Sequence, residues 1–158
     1  MHRPANVDGE HQLLELLHAI AEGTRGLPVV LPVHPRTAKN LRDLDSKTPQ
    51  LNYVDPVDYL EFNYLVKHAR GVITDSGGIT EETTVLGVPC LTLRDNTERP
   101  ETITIETNEL IGTDPSRLPP ALARLMAGQW KKDAIPQKWD GNAAMRIVEN
   151  LEQLLVNV

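Results

Sequence analysis

A chain of 158 residues with an ordinary apolar content is long enough for one domain with a sizeable core. A net charge of −6 gives no basic face for neutralising a nucleic-acid backbone, so no nucleic-acid partner is expected. No run approaches the roughly 20 apolar residues that cross a bilayer. No signal segment opens the chain, and the single cysteine, Cys90, excludes an intrachain disulfide framework. A cytoplasmic protein without a membrane partner follows by default.

In chain order, residues 1–8 read as a loop, because Pro4 and Asn6 disfavour regular structure. A helix opens at Asp8 or Gly9 with Leu13, Leu14, Leu17, Ile20 and Ala21 on one stripe, and it ends at Gly23 or Gly26. Residues 28–33 form a buried strand that delivers His34-Pro35-Arg36-Thr37, and a short helix over 37–44 follows. Residues 51–54 are a second strand. After Asp55-Pro56 a helix carries Tyr59, Leu60, Phe62, Leu65 and Val66. A third strand over 72–74 leads through Asp75-Ser76-Gly77-Gly78 into a helix that runs from Ile79 to Leu86 and closes at Gly87-Val88-Pro89. A fourth strand over 89–93, with Cys90 buried in it, precedes a polar loop over 94–102. A fifth strand over 109–112, a helix over 115–126, an irregular connection over 128–140 and a helix over 142–156 complete the chain.

Short β-branched strands alternating with helices are the signature of an α/β fold, a Rossmann-like doubly wound parallel sheet with helices on both faces. Such a domain ordinarily begins with a strand, yet this chain begins with what reads as the loop after one. Either a first strand precedes His2 or another segment fills its place. Ligands of these sheets bind outside the carboxyl ends of the strands, where the polar clusters after Val33, Val54, Thr74 and Leu93 all fall.

The Asp75-Ser76-Gly77-Gly78 turn is the strongest local signal. A strand turning through paired glycines into a helix presents unpaired backbone N–H groups and the positive end of the helix dipole, which suits an anion such as phosphate. It lacks the spacing of a dinucleotide fingerprint and the Lys-Ser/Thr of a P-loop. Its bland alternative is a tight turn with a Ser or Asp cap. Glu81 and Glu82 are either a solvated acidic pair or acceptors for ribose hydroxyls. The loop over 94–102 is either self-neutralising surface or, through Arg99 made rigid by Pro100, a phosphate clamp. His34 belongs either to a structural contact or to the strand-end crevice. Phe62 is either core or the wall of a nucleobase pocket. No spacing of His, Cys or carboxylates fits a metal, and neither a metal nor an organic cofactor is expected.

Several long motifs in register resemble the non-hydrolysing UDP-N-acetylglucosamine 2-epimerase family. They are Ile73-Thr74-Asp75-Ser76-Gly77-Gly78-Ile79-Thr80-Glu81-Glu82, Leu86-Gly87-Val88-Pro89, and Arg94-Asp95-Asn96-Thr97-Glu98-Arg99-Pro100-Glu101. His2-Arg3-Pro4-Ala5-Asn6, Pro32-Val33-His34-Pro35-Arg36 and Gly112-Thr113-Asp114 add to them. The resemblance implies the carboxyl-terminal, UDP-binding half of a two-domain glycosyltransferase-B arrangement, residues 1–158 forming that one domain. It implies that Ser76, Gly77 and Gly78 hold the diphosphate with Arg99 nearby, that Glu82 holds the ribose and that Phe62 lines the uracil pocket. His2 would be the active-site histidine and His34 a residue of the same cleft. Val57 departs from a glutamine that some members have near the uracil.

The implied reaction interconverts UDP-GlcNAc and UDP-ManNAc by eliminating UDP to a glycal and adding it back, in the service of polysaccharide biosynthesis. The family's catalytic carboxylates would lie in an amino-terminal partner domain, so this piece alone is expected to be inactive, and a homodimer is expected of the full-length protein. Two rival readings are the nucleotide-binding domain of a UDP-sugar glycosyltransferase and a nucleotide-sugar sensing module without chemistry.

Overall fold

The structure, a computed structural model, describes residues 1, 3–24, 26–35, 37–38, 41, 49–104, 107–131 and 134–156. Its helices are α1 (Pro4–Val7), α2 (Glu10–Gly23), α3 (Tyr59–His68), α4 (Gly77–Leu86), α5 (Glu101–Thr104), α6 (Leu118–Met126) and α7 (Ala143–Val156), with a 3-10 turn at Pro115–Arg117. Its strands are β1 (Val29–Pro32), β2 (Leu51–Val54), β3 (Val72–Thr74), β4 (Cys90–Thr92) and β5 (Asn108–Leu110). Within the expected helix over 37–44, Thr37, Ala38 and Leu41 are helical, and the rest lies outside the described residues.

Every strand pairing is parallel. The expected single sheet is divided, however. β1 pairs with β2, with Val29 opposite Leu51, and β3-β4-β5 form a second sheet in which Val72, Cys90 and Asn108 lie side by side. Among the described residues no further strand joins the two. They are united from one side instead. Leu13, Leu16, Leu17 and Ile20 of α2 share one hydrophobic cluster with Val29, Leu31 and Leu51 of the first sheet and with Leu91 and Leu93 beside the second. Leu118, Ala121, Leu122 and Leu125 of α6 complete that cluster. The inward stripe of α2 contains Leu13, Leu17, Ile20 and Ala21 as expected, with Leu16 buried in place of Leu14.

The alternation of a strand divides the second sheet into two unlike faces. Leu91, Ile73 and Ile111 turn to the aliphatic cluster. Cys90, Thr92 and Asn108 turn the other way, and Thr80, Thr83 and Thr84, the buried residues of α4, are threonines as well. Cys90 is fully buried, as its apolar run implied.

Turn chemistry accounts for the remaining boundaries. α3 starts at a capping box in which Asp58 accepts from the Glu61 amide at 2.9 Å and Glu61 reaches back to the Asp58 amide at 3.3 Å. α4 ends at Gly87, whose φ of +67° places it in the left-handed region that a side chain disfavours. The stretch read as an amino-terminal loop contains α1, because a proline at the first helical position gives up only an N–H that has no partner there. The loop over 94–102 likewise ends in α5. No described helix is long and apolar enough to cross a membrane.

Candidate functional site

The glycine turn sits at the carboxyl end of β3, and three segments converge on it. Asp75 is fully buried and works as a staple rather than as a ligand. Its Oδ2 accepts from the Arg3 amide at 2.9 Å and from Asn6 Nδ2 at 3.3 Å, and its carbonyl accepts from Arg3 Nε at 3.0 Å. Asn6 also donates to the Leu93 carbonyl at 3.1 Å. The amino-terminal segment is thereby tied to the ends of β3 and β4. Asn6, read as a loop former, helps to hold Arg3 beside the turn.

Ser76 occupies the N-cap position of α4, but its hydroxyl makes no capping hydrogen bond. The Thr74 hydroxyl instead accepts from the Ser76 amide at 3.1 Å. The turn is thus not the simple Ser cap of the bland reading. The Ser76 oxygen stays beside the first N–H groups of α4, which have no acceptor within the helix. No acidic side chain occupies the first turn of α4 to neutralise its positive end.

Two adjoining cavities open here. One, of about 430 Å³, is lined by Gly77, Gly78, Arg94, Thr97, Glu98 and the pair Glu81–Arg99. The other, of about 470 Å³, is lined by Tyr59, Asn63, Glu82, Val85, Trp139 and the same pair. Arg99 Nε donates to Glu81 Oε1 at 2.6 Å, so this ion pair forms the partition between the two. The Glu81 carboxylate raises Arg99 further above its ordinary value.

Burial raises the Glu82 carboxyl, opposed by a hydrogen bond from Tyr59 and assisted by the charge of Glu81. Gly77, Gly78, Glu82 and Arg99 line these two cavities, and Ser76 lines neither but adjoins the first as the residue before Gly77. Phe62 is half-buried on α3 and lines neither cavity. It lies one turn before the buried Val66, and Tyr59 and Asn63 rather than Phe62 line the second cavity. His34 is exposed at the end of β1, in the other sheet, where its carbonyl accepts from the Ala38 amide at 2.9 Å. It lines neither cavity. His2 lies outside the described residues.

The sequence reading missed Arg94. It is only 5 % exposed, and its Nη2 donates to Glu98 Oε1 at 2.9 Å and to Asn96 Oδ1 at 3.4 Å. Its Nε is buried with no acceptor among the described residues. A methyl group on Gly77 would lie 3.4 Å from Arg94 Nη1 and 3.7 Å from Glu98 Oε2, so the guanidinium and the carboxylate meet over the first residue of α4. Tyr59 and Trp139 were also missed as site residues. The one signal for Trp139 was a large aromatic inside an otherwise irregular polar connection. Among the described residues no three His, Cys, Asp or Glu side chains cluster as metal ligands would.

With this geometry in view, the comparisons agree closely. The family model for UDP-N-acetylglucosamine 2-epimerase matches residues 1–152. The UDP-N-acetylglucosamine 2-epimerase of Methanocaldococcus jannaschii is 39% identical over 125 residues, which is 75% of this chain and 34% of that one. The UDP-2,3-diacetamido-2,3-dideoxy-D-glucuronate 2-epimerase of Pseudomonas aeruginosa is 36% identical over 155 residues, 98% of this chain and 43% of that one. The crystal structure of the M. jannaschii enzyme in complex with UDP-GlcNAc and UDP superposes with a TM-score of 0.75 at 36% identity, covering 94% of this chain and 43% of that one. The chain thus spans about two fifths of the length of the relatives it matches, and its α/β fold is that of one part of these glycosyltransferase-B type enzymes.

Proposed function

Because the chain belongs to the UDP-N-acetylglucosamine 2-epimerase family, we propose that it supplies the UDP-holding half of an enzyme that inverts C2 of UDP-N-acetylglucosamine. The observation that carries this reading is the Ser76-Gly77-Gly78 start of α4. Its Ser hydroxyl makes no capping bond, and two arginines line the same cavity. Both relatives described above are named for UDP sugars that bear an acetamido group at C2 and are epimerised there, so the UDP moiety is the common handle. The diphosphate takes the cavity at Gly77 and Gly78, and the ribose takes the Glu82 side.

In the proposed reaction a base removes the C2 proton while the bond from C1 to the UDP oxygen breaks, leaving a glycal. Return of the proton to the opposite face of C2, with re-addition of UDP at C1, gives UDP-ManNAc. The share of this chain is to stabilise and retain the departing UDP. Helix N–H groups and guanidiniums already aimed at the developing charge do this without reorganising. Proton transfer falls to groups beyond this chain, with His2 as the residue here assigned to the reacting end, so the chain alone binds UDP without turnover. A homodimer, a cytoplasmic setting and service to polysaccharide biosynthesis belong to the same proposal and stand on family membership alone.

Titration calorimetry of the 158-residue chain with UDP tests the reading. Saturable binding is expected, weakened by about tenfold in Ser76→Ala, the loss of one charge-assisted hydrogen bond. Absence of saturable UDP binding by the folded chain overturns it, and formation of UDP-ManNAc by this chain alone overturns the division of labour.

A further inference from the structure

The charges around the glycine turn are balanced before any ligand arrives. Glu81 holds Arg99, the buried Asp75 holds the Arg3 segment, and Glu98 holds Arg94. A diphosphate entering this cavity brings two or more negative charges into a set of arginines that already have partners. The phosphate therefore competes with these carboxylates for the guanidinium edges they hold. Asp75 is fully buried and tied on two sides, and displacing it would undo the staple to Arg3 and Asn6. The Glu81 side chain is 40% exposed and is anchored on α4. The Glu98 side chain is 75% exposed, is carried by a loop, and reaches Arg94 through a single hydrogen-bonded contact.

We propose that Arg94 is a further phosphate-binding residue of this site, and that Glu98 is an internal stand-in for the phosphate, occupying its place until UDP displaces it. This rests on the reading of the turn as a diphosphate seat. A buried guanidinium with one N–H left without an acceptor is expensive to maintain for packing alone. Its terminal edge, with Nη1 over Gly77 and Nη2 on Glu98, gives it a fork of donors beside the first amides of α4, which suits a phosphate held on two oxygens. Glu98 brings its Oε2 to the same spot over Gly77 while Oε1 accepts from Arg94, the arrangement two phosphate oxygens would adopt. Arg94 also pulls the Glu98 carboxyl below the usual carboxylate range, so it stays charged and competes as an anion. When UDP binds, Arg94 exchanges one anion for another without leaving its burial site.

The test is calorimetric titration of the wild-type chain, Glu98→Gln, Arg94→Lys and Arg94→Met with UDP, inorganic pyrophosphate and uridine. Removing a competing charge is expected to tighten both UDP and pyrophosphate about fivefold in Glu98→Gln, with uridine unchanged. Arg94→Met is expected to weaken UDP and pyrophosphate at least about tenfold, and Arg94→Lys to lie between, since a point charge replaces a fork. A wild type that binds neither UDP nor pyrophosphate removes the diphosphate seat and this proposal with it. A wild type that binds both, with Glu98→Gln unchanged or weaker, overturns the stand-in role alone. Arg94→Met that folds and binds as wild type overturns the phosphate role. If Arg94→Met does not fold, Arg94→Lys and Glu98→Gln decide, and equal affinity across those two and the wild type rejects the proposal.

Discussion

The two faces of the β3-β4-β5 sheet are built from different interactions. On one, Leu91, Leu93 and Ile111 lie against leucines of α2 and α6 in a closed aliphatic cluster. On the other, buried hydroxyls and one amide are linked in series. The Thr92 hydroxyl donates to Asn108 Oδ1 at 2.6 Å, Asn108 Nδ2 donates to the Thr102 hydroxyl at 3.1 Å, and that hydroxyl donates to the Arg99 carbonyl at 2.8 Å. Burial of apolar area is strong but non-directional, and a leucine tolerates small shifts of its neighbours. A buried hydrogen-bonded chain tolerates little, because a partner moved out of range leaves a desolvated polar atom unpaired. The face that contributes most to stability is therefore not the face that fixes the site. The polar chain ends on Arg99, at the partition between the two cavities.

Truncating each face in turn separates the two jobs. Leu91→Ala, at a fully buried position, is expected to lower stability by about 3–5 kcal/mol through the lost transfer energy and the cavity left behind. Urea unfolding measures this, and the fraction still folded is expected to bind UDP with the wild-type affinity. Asn108→Ala is expected to lower stability less, by about 2–3 kcal/mol, from the hydroxyls of Thr92 and Thr102 left buried without their partner. It is nevertheless expected to weaken UDP binding several-fold, because the Arg99 segment loses its anchor. Equal UDP affinity in the two variants would mean that the polar chain does not hold the site.

The same contrast explains what the sequence could reveal. β1, β3 and β4 were legible as short apolar runs. β1 nevertheless has no buried residue, with Val30 46% exposed, and is not the buried strand expected over 28–33, because one face of the β1-β2 sheet is left uncovered among the described residues. The Ser76-Gly77-Gly78 turn was legible because a strand meeting a helix through paired glycines is a local pattern. Phe62 and Tyr59 stand three residues apart on neighbouring positions of α3, so helical periodicity did not tell which of the two lines the cavity. Arg94 depended on more. In sequence it is one charge in a polar loop, and only the fold of residues 95–99 back over Gly77 buries it. Asn6 misled for the same reason, since it serves contacts with Asp75 and Leu93 far along the chain. The division between two sheets was likewise invisible, because strand propensity says nothing about which edges meet.

Cys90 gives the smallest and most local test of the polar face. The thiol lies 3.9 Å from the Thr92 hydroxyl, and hydrogen bonds from Thr83 and Thr92 favour its ionisation only weakly against the burial that opposes it. Burial wins and pushes the thiol up to about 11 from 9.0. Because the folded state then holds this proton more tightly than the unfolded state, the stabilisation is fully present below pH 9 and is lost as pH rises towards 11. At pH 10 one unit of differential ionisation corresponds to a loss of about 1.4 kcal/mol. Tyrosines and lysines also titrate there, so the measurement is a difference: urea midpoints at pH 7 and pH 10 for the wild type and for Cys90→Ala. The wild type is expected to lose more stability than the variant by about that amount. Equal losses would show that the threonine hydroxyls solvate the thiolate as well as water does, and that this face is polar enough to hold a charge. The polar face would then be a second place to hold an anion rather than a rigid mount for the glycine turn.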